Sequence, residues 1–256
     1  LELARGALVW SLANQPERGN HQRGLNLGKL GLAFSARCLT KVSGSDEFSA
    51  ATEGLVDHLL AEPAGPITDL LSGEASNGWV LLQLWRGDPQ AKYLEGAVRC
   101  ARWLERHIER EEQGTHCVVD PINHSFGKLP RLGLSHGIPG VAHFFGCLYR
   151  ATADAHWKRL AMELLDTMTQ HARADGDGLN WPPRVGMDEL IRCQYSIGAP
   201  GVGLVFALAA GNLDESGYLT TALLAGEATY RHGDRRENPT LCTGLAGSGE
   251  LLIELY

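Results

Sequence analysis

The chain has 256 residues, of which 44% are hydrophobic, and a formal net charge of −7 at pH 7. It is long enough to bury a core, and its lysines and arginines are scattered rather than gathered into the basic stripe that a phosphate backbone needs, which argues against nucleic acid as a partner. No apolar run reaches the roughly 18 residues of a membrane span, and no signal-peptide pattern is present, so the sequence predicts a cytoplasmic protein with no membrane partner.

The chain contains six cysteines, most of them inside apolar runs. This distribution is typical of reduced, buried thiols rather than of a secreted disulfide framework. No C-x-x-C pair occurs. The strongest sequence signature of a structural zinc site is therefore missing.

A glycine-rich loop followed by a helix-length apolar run occurs five times. Glycine permits sharp turns, and a run that is apolar on nearly every side predicts a helix buried on most of its surface. Repetition of one unit indicates a repeat architecture. The five loops lie at residues 27–31, 73–78, 133–140, 198–201 and 244–247.

Amphipathic segments lie between the glycine-led runs and have one polar face at helical spacing. The apolar positions of the two clearest segments are Leu94, Ala97, Val98, Ala101, Leu104 and Ile108, and Trp157, Leu160, Ala161, Leu164, Leu165 and Met168. Alternation of an amphipathic outer helix with an apolar inner helix predicts an all-α fold, an α/α toroid of helical hairpins with the glycine loops at one end of the inner helices. Strand signals are few, with short extended pieces expected at Val118-Val119 and around Trp181.

The third glycine loop reads Gly133-Leu134-Ser135-His136-Gly137-Ile138-Pro139-Gly140. Its histidine stands just ahead of a buried helix, and histidine titrates in the range needed to move protons at neutral pH. On its own, such a residue could equally serve to satisfy backbone groups of the loop.

Three loops in chain order, at residues 133–140, 192–201 and 242–247, resemble signature loops of the lanthionine synthetase C-like cyclases. Members of this family are α/α toroids that close thioether rings in lanthipeptide precursors, by adding a cysteine thiol to a dehydrated serine or threonine. The resemblance covers essentially the whole chain. It implies that residues 1–256 form a single cyclase domain that acts on a precursor peptide.

The resemblance also implies site residues. His136 corresponds to the family's proton-transfer histidine, and Arg192 falls on the position of an arginine four residues before a zinc-binding cysteine. Asp69 matches an aspartate four residues before a glycine of an earlier loop. Outside this context, Arg192 would be read as a solvated or ion-paired surface residue, and Asp69 as a helix N-cap.

The family's zinc is held by two cysteines and a histidine, and the corresponding residues here are Ser196, Cys242 and Thr243. Hydroxyls are poor ligands for zinc, which prefers thiolate and imidazole, so these positions predict no bound zinc and no other cofactor. Cys193 could replace Ser196 only through a register shift that misplaces Arg192 and the glycines.

A cyclase that keeps the acid–base set and loses the zinc set resembles the cyclase domains of class III lanthipeptide synthetases. In those enzymes a lyase and a kinase domain precede the cyclase on one polypeptide. The resemblance therefore implies a longer multidomain synthetase, whose partners are its kinase and lyase domains and the leader and dehydrated core of the precursor. Whether the product is (methyl)lanthionine or labionin stays open.

Two other interpretations remain. The domain could be a non-catalytic toroid that binds the leader peptide or scaffolds the kinase and lyase domains, which the loss of zinc ligands favours. It could also be a toroidal glycosidase, but that chemistry needs paired carboxylates at the loop ends, and the sequence offers no obvious second carboxylate to work with Asp69.

Overall fold

The structure is a computed structural model that describes residues 1–15, 24–26, 28–117, 129–232 and 238–256. Within these ranges the chain forms ten α-helices, a short 3₁₀-helix and two antiparallel two-stranded sheets, and none of the helices is long and apolar enough to cross a membrane. The chain divides into two compact units, Leu1–Trp103 and Leu104–Tyr256. A single cyclase domain over residues 1–256 stays a prediction.

The helices follow one another in pairs, and a two-stranded β-hairpin follows each of two outer helices. The first unit contains α1 (Glu2–Ala13), α2 (Lys29–Ser43), a 3₁₀-helix (Asp46–Phe48), α3 (Ser49–Ala61), α4 (Glu74–Gly87) and most of α5 (Ala91–Glu105). The second unit contains β1 (Ile108–Glu111), β2 (Gly114–Cys117), α6 (Ile138–Thr152), α7 (Ala155–Gln170), β3 (Arg173–Asp175), β4 (Gly178–Asn180), α8 (Ala199–Asn212), α9 (Tyr218–His232) and α10 (Leu245–Leu255).

The inner helices begin where the glycine loops predict. Helices α2, α4, α6, α8 and α10 each follow directly on a glycine that occupies the N-cap position. Pro139 and Pro200 stand in the first turns of α6 and α8, where the missing N–H costs nothing. Helix α6 is buried along most of its length, with Phe144, Phe145 and Leu148 fully inaccessible. The predicted helix pairs are confirmed.

The outer helices show the predicted apolar stripe. In α7 every apolar position of the predicted stripe is buried. Helix α5 differs from the prediction, because it ends at Glu105 and Ile108 already belongs to β1. The end of this helix, as predicted from the spacing of apolar residues, therefore lies about one turn too late in the chain.

Each hairpin follows one outer helix and packs on the next. In β2 the Thr115 amide donates to Thr167 Oγ1 of α7 at 2.7 Å. In β4 a Cβ at Gly178 would lie 2.6 Å from the Ala228 nitrogen of α9, so only glycine allows this approach. The extended piece expected near Trp181 is β4, which ends at Asn180, whereas Val118-Val119 lies outside the described residues.

Trp181 joins the second hairpin to two helices. Its indole is fully buried and stacks on Phe206 of α8, with ring centroids 6.0 Å apart. Its Nε1 donates to the Met168 carbonyl of α7 at 2.7 Å. A buried carbonyl that loses its donor carries an unmet desolvation cost.

The change Trp181→Phe keeps an aromatic ring but removes this donor, and we expect it to lower the free energy of unfolding by about 1–3 kcal/mol. The measurement is urea denaturation of the whole chain. Trp10→Phe is the matched control, because Trp10 is 66% exposed, and it should leave the stability nearly unchanged. Equal effects of the two changes would contradict this role of Trp181.

Candidate functional site

Three glycine loops of the second unit lie side by side. We call them the histidine loop (131–137), the arginine loop (192–198) and the cysteine loop (238–244). The Ser135 amide donates to the Ser196 carbonyl at 3.4 Å, and the Ser196 amide donates to the Cys242 carbonyl at 3.0 Å. The arginine loop therefore lies between the other two loops. Together the three loops bring the N-terminal ends of α6, α8 and α10 close to one another, as the repeat pattern predicts.

Glycines permit the loops to approach this closely. A Cβ at Gly133 would lie 2.5 Å from the Ser196 carbonyl oxygen of the arginine loop, and one at Gly201 would lie 2.9 Å from Leu134 Cβ of the histidine loop. Both distances are far below van der Waals contact. Any side chain at either position would push the neighbouring backbone away.

His136 is exposed on the last turn before α6. Its loop is closed by a hydrogen bond from the Ile138 amide to the Arg131 carbonyl at 3.0 Å, and is tied to the segment after β4 by one from the Leu132 amide to the Pro183 carbonyl at 3.0 Å. The imidazole is thus carried by a fixed loop and is accessible from solvent. Both features suit a group that exchanges protons with a bound substrate.

Arg192 is exposed at the start of the arginine loop. Its Nη1 donates to the neutral Gln194 side chain at 3.4 Å, and its backbone carbonyl accepts from Asn180 Nδ2 at 3.2 Å. The loop backbone is held from within the protein, while the guanidinium faces outward. A permanent positive charge in this setting can attract a thiolate or stabilise developing negative charge.

Asp69 lies in the first unit and is 5% exposed. Its Oδ1 accepts from the amides of Leu71 and Ser72 at 3.0 and 2.8 Å, which is an aspartate turn that stabilises its own loop. Helix α4 begins at Glu74 with Gly73 as its N-cap, so the N-cap interpretation of Asp69 is wrong. An acid–base role for Asp69 stays a prediction.

The donor set at the positions that the resemblance aligns with zinc ligands does not fit zinc. Ser196 and Thr243 offer neutral hydroxyls beside the single thiol of Cys242. The hydroxyl of Thr243 lies 3.3 Å from that of Thr240, which itself donates to Asn238 Oδ1 at 2.6 Å. Because the Thr240 hydrogen is already used, Thr243 is the donor of this pair, and its hydroxyl is engaged within its own loop.

The described residues contain one cluster whose side chains could hold a metal ion, and none of its members belongs to these loops. Glu109 and Glu111 of β1 and His116 of β2 bring their ligand atoms within 4.8 Å of one another. His116 Nε2 lies 3.7 Å from a Glu109 carboxylate oxygen, which makes the pair an ion pair when the imidazole is protonated.

Two residues of the site were missed by reasoning from the sequence. Tyr195 belongs to the arginine loop and is half-buried beside Gly247 of α10, and burial, followed by the charges of Glu250 and Cys242, raises the pKa of its phenol. Asn180 is 1% exposed and holds the arginine loop. The only local signal for Asn180 is its place beside Trp181, at the end of a short extended segment.

Comparison with known proteins gives the following matches. The model of a family described as lanthionine synthetase C-like protein matches residues 2–256. Nisin cyclase superimposes with a TM-score of 0.75 and 13% identity, over 99% of this chain and 69% of its own. A Listeria innocua protein reaches a TM-score of 0.57 with 13% identity, over 88% of this chain and 70% of its own. The α-1,6-mannanase of a Salegentibacter species also reaches 0.57, with 13% identity over 99% and 80%.

At these identities the superpositions establish the fold alone. Together with the helix pairs described above, the match to nisin cyclase over nearly the whole chain confirms the predicted fold class, an all-α protein of the α/α toroid type. The fold does not distinguish a cyclase from a glycosidase, because a mannanase shares it. The three loops themselves contain no aspartate or glutamate, so they carry no pair of carboxylates for glycoside hydrolysis.

The structure predicts which thiols react with a disulfide reagent in the native protein. Cys38 and Cys242 are exposed, and the other four cysteines are buried. Burial raises the pKa of Cys117 to about 12, so this thiol has almost no thiolate at neutral pH. We expect two rapidly reacting thiols, and one after Cys242→Ser, measured by the absorbance of the released thiolate.

Cys38→Ser is the control for this measurement, because it removes the other exposed thiol, in the first unit. It should also leave one fast thiol. A fast phase that is unchanged by Cys242→Ser would show that the cysteine loop is closed to solvent.

Proposed function

Because the chain belongs to the lanthionine synthetase C-like protein family, we propose that it is a zinc-independent lanthipeptide cyclase. Its substrate is a dehydrated precursor peptide, in which cysteine thiols add to dehydroalanine or dehydrobutyrine. The observation that carries the proposal is the direct bonding of the loops that bear His136 and Arg192, through the Ser135 amide and the Ser196 carbonyl. Its structural similarity to a protein named nisin cyclase gives further support.

The reaction adds S–H across a carbon–carbon double bond. The substrate thiol loses its proton, and the thiolate sulfur bonds to the β-carbon of the dehydro residue. The electron pair of the double bond moves onto the neighbouring carbonyl as an enolate. A proton delivered to the α-carbon then restores the carbonyl and leaves a thioether.

In the proposal, His136 transfers the protons and Arg192 stabilises the negative charge. His136 takes the proton from the thiol and returns one to the α-carbon, since an imidazole can do both near neutral pH. Arg192 stabilises the enolate oxygen, or the thiolate before it adds, with a charge that does not depend on pH. Asp69 is assigned a supporting acid–base role from the resemblance alone.

Zinc is not needed to start this chemistry. A free cysteine has a pKa of about 8.5, so a few per cent is already thiolate at neutral pH. A base and a cation near the thiol increase that fraction. The hydroxyls of Ser196 and Thr243 at the family's zinc positions support a metal-free site.

The same departure from the zinc-binding pattern supports the proposal that the chain is the cyclase domain of a class III synthetase. In this proposal its partners are the kinase and lyase domains of the same synthetase and the leader of the precursor. The product is lanthionine, methyllanthionine or labionin.

The experiment is the loss of free thiol in a dehydrated precursor peptide, followed by alkylation and mass spectrometry, with a strong chelator in a parallel arm. Loss that depends on the protein and is indifferent to the chelator is the expected result. Loss that the chelator abolishes would overturn zinc independence. No loss above the spontaneous rate, together with retained binding of the leader peptide, would instead favour the non-catalytic scaffold.

We expect His136→Asn to lower the cyclisation rate by about 10²–10⁴-fold, because it removes the proton-transfer group. Arg192→Gln should lower it by about 10²–10³-fold, because the developing charge loses its cation. Initial rates of thiol loss on the same peptide measure both.

The matched controls are His58→Asn on α3 and Arg102→Gln on α5, which are exposed residues of the same types outside the three loops. They should keep the parent rate. Equal losses in the controls and the site variants would argue that the changes act on folding rather than on catalysis.

A further inference from the structure

The arginine loop is closed differently from its counterparts. In three other glycine loops, the carbonyl of the residue six before the N-cap accepts directly from the first helical amide. These bonds join Ile67 to Glu74 at 2.9 Å, Arg131 to Ile138 at 3.0 Å, and Asn238 to Leu245 at 3.1 Å.

In the arginine loop the same two groups are the Arg192 carbonyl and the Ala199 amide, and each bonds to one side chain instead. Asn180 Nδ2 donates to the Arg192 carbonyl at 3.2 Å, and the Ala199 amide donates to Asn180 Oδ1 at 2.7 Å. A side-chain amide is thus inserted where the other loops have a direct backbone bond. Both backbone groups keep a partner.

The backbone conformation of the N-cap glycine differs as well. Gly198 has a φ of +114°, whereas Gly73, Gly137 and Gly244 at the equivalent position have φ values of −101°, −129° and −126°. A Cβ at Gly198 would lie 2.6 Å from the Arg192 carbonyl oxygen and 2.9 Å from Asn180 Oδ1. The loop therefore takes a path around the inserted amide that glycine alone allows.

The orientation of the inserted amide is fixed by its other two bonds. Asn180 Oδ1 also accepts from the Trp181 amide at 2.8 Å, and Nδ2 also donates to Asp175 Oδ2 at 3.1 Å. Two acceptor sites and two donors are the full capacity of a carboxamide. If the amide were flipped, its NH2 group would face two backbone amides and its oxygen would face a carbonyl and a carboxylate. Only one orientation is therefore stable.

The network ends on Arg231 and His232 of α9. Asp175 is paired with Arg231 and lies 3.0 Å from His232 Nε2. These contacts fix the carboxylate that orients Asn180. The position of the arginine loop is thereby tied, through one buried side chain, to the second hairpin and to α9.

We propose that Asn180 is a positioning residue for Arg192: by replacing the direct bond of the other loops, it sets the path of the loop that carries the guanidinium. The assignment of Arg192 to the reaction rests on the proposed function, whereas the assignment of Asn180 to the loop path does not. Asn180 itself touches no reacting atom. Its effect passes through the backbone of residue 192.

The test compares Asn180→Asp with the exchange Asp175→Asn plus Asn180→Asp. In the single variant a carboxylate oxygen faces both the Asp175 carboxylate and the Arg192 carbonyl, so hairpin and loop both lose a donor. In the double variant the amide introduced at position 175 can donate to the carboxylate introduced at position 180, which restores the hairpin bond. The Arg192 carbonyl still faces an acceptor, so the loop remains perturbed. Arg231 and His232 face a neutral amide in place of the Asp175 carboxylate, and Asp175→Asn alone is the control for that loss.

Two readouts separate positioning from stability. Hydrogen exchange measured by mass spectrometry should show faster exchange of the arginine-loop amides in the double variant than in Asp175→Asn or the parent, with the 67–73 loop as an internal reference. Thiol addition should show kcat lowered by about 10²-fold with KM little changed. In an Arg192→Gln background the same double change should cost no further activity.

Parent-like exchange and kcat in the double variant would overturn the proposal, and would leave Asn180 as a hairpin residue only. A parent protein without cyclisation activity would overturn the proposed function, but the exchange comparison would still decide whether Asn180 sets the loop path. An additional activity loss in the Arg192→Gln background would show that Asn180 acts on something other than Arg192.

Discussion

The candidate site depends on the direct contact between backbone segments of three glycine loops. The amide of Ser196 reaches the Cys242 carbonyl, and the amide of Ser135 reaches the Ser196 carbonyl. These bonds require the absence of side chains at Gly133 and Gly201, because a Cβ at either position would overlap an atom of the neighbouring loop, the Ser196 carbonyl oxygen or Leu134 Cβ. The row of loops fixes where three inner helices begin, and with them the side chains that the loops present.

The repeat pattern of the chain predicted much of this arrangement, because both of its signals are local. Glycine loops mark the starts of the inner helices, and the apolar stripe of α7 marks its buried face. The hairpins were predicted poorly. Strands of three or four residues show little periodicity in the sequence. The strands of these hairpins contact residues far along the chain, as Thr115 contacts Thr167 and Gly178 contacts Ala228. The end of α5 was misplaced for the same reason, since Ile108 fits a helical spacing until its cross-strand partner Cys117 is known.

The sequence analysis proposed residues for the candidate site but not the hydrogen bonds that hold them in place. His136 and Arg192 were proposed from the family resemblance, and the structure places them on neighbouring loops of one unit. Asn180 was not found, because nothing near it in the sequence shows that it bonds to the Arg192 carbonyl and the Ala199 amide. Asp69 shows the opposite case, in which a residue chosen by spacing bonds to the amides of its own loop.

An inserted side chain also explains how one loop of a repeat can differ from the others without a cost in unpaired groups. Breaking the direct bond of a buried loop would leave one carbonyl and one amide without partners, and each would carry an unmet desolvation cost of about 1–3 kcal/mol. A carboxamide has a donor and an acceptor on adjacent atoms, so it can accept the amide and donate to the carbonyl at once. Asn180 does this while the Asp175 carboxylate and the Trp181 amide hold its orientation. The arginine loop can therefore follow its own path while the helix behind it still begins directly after an N-cap glycine, as the other inner helices do.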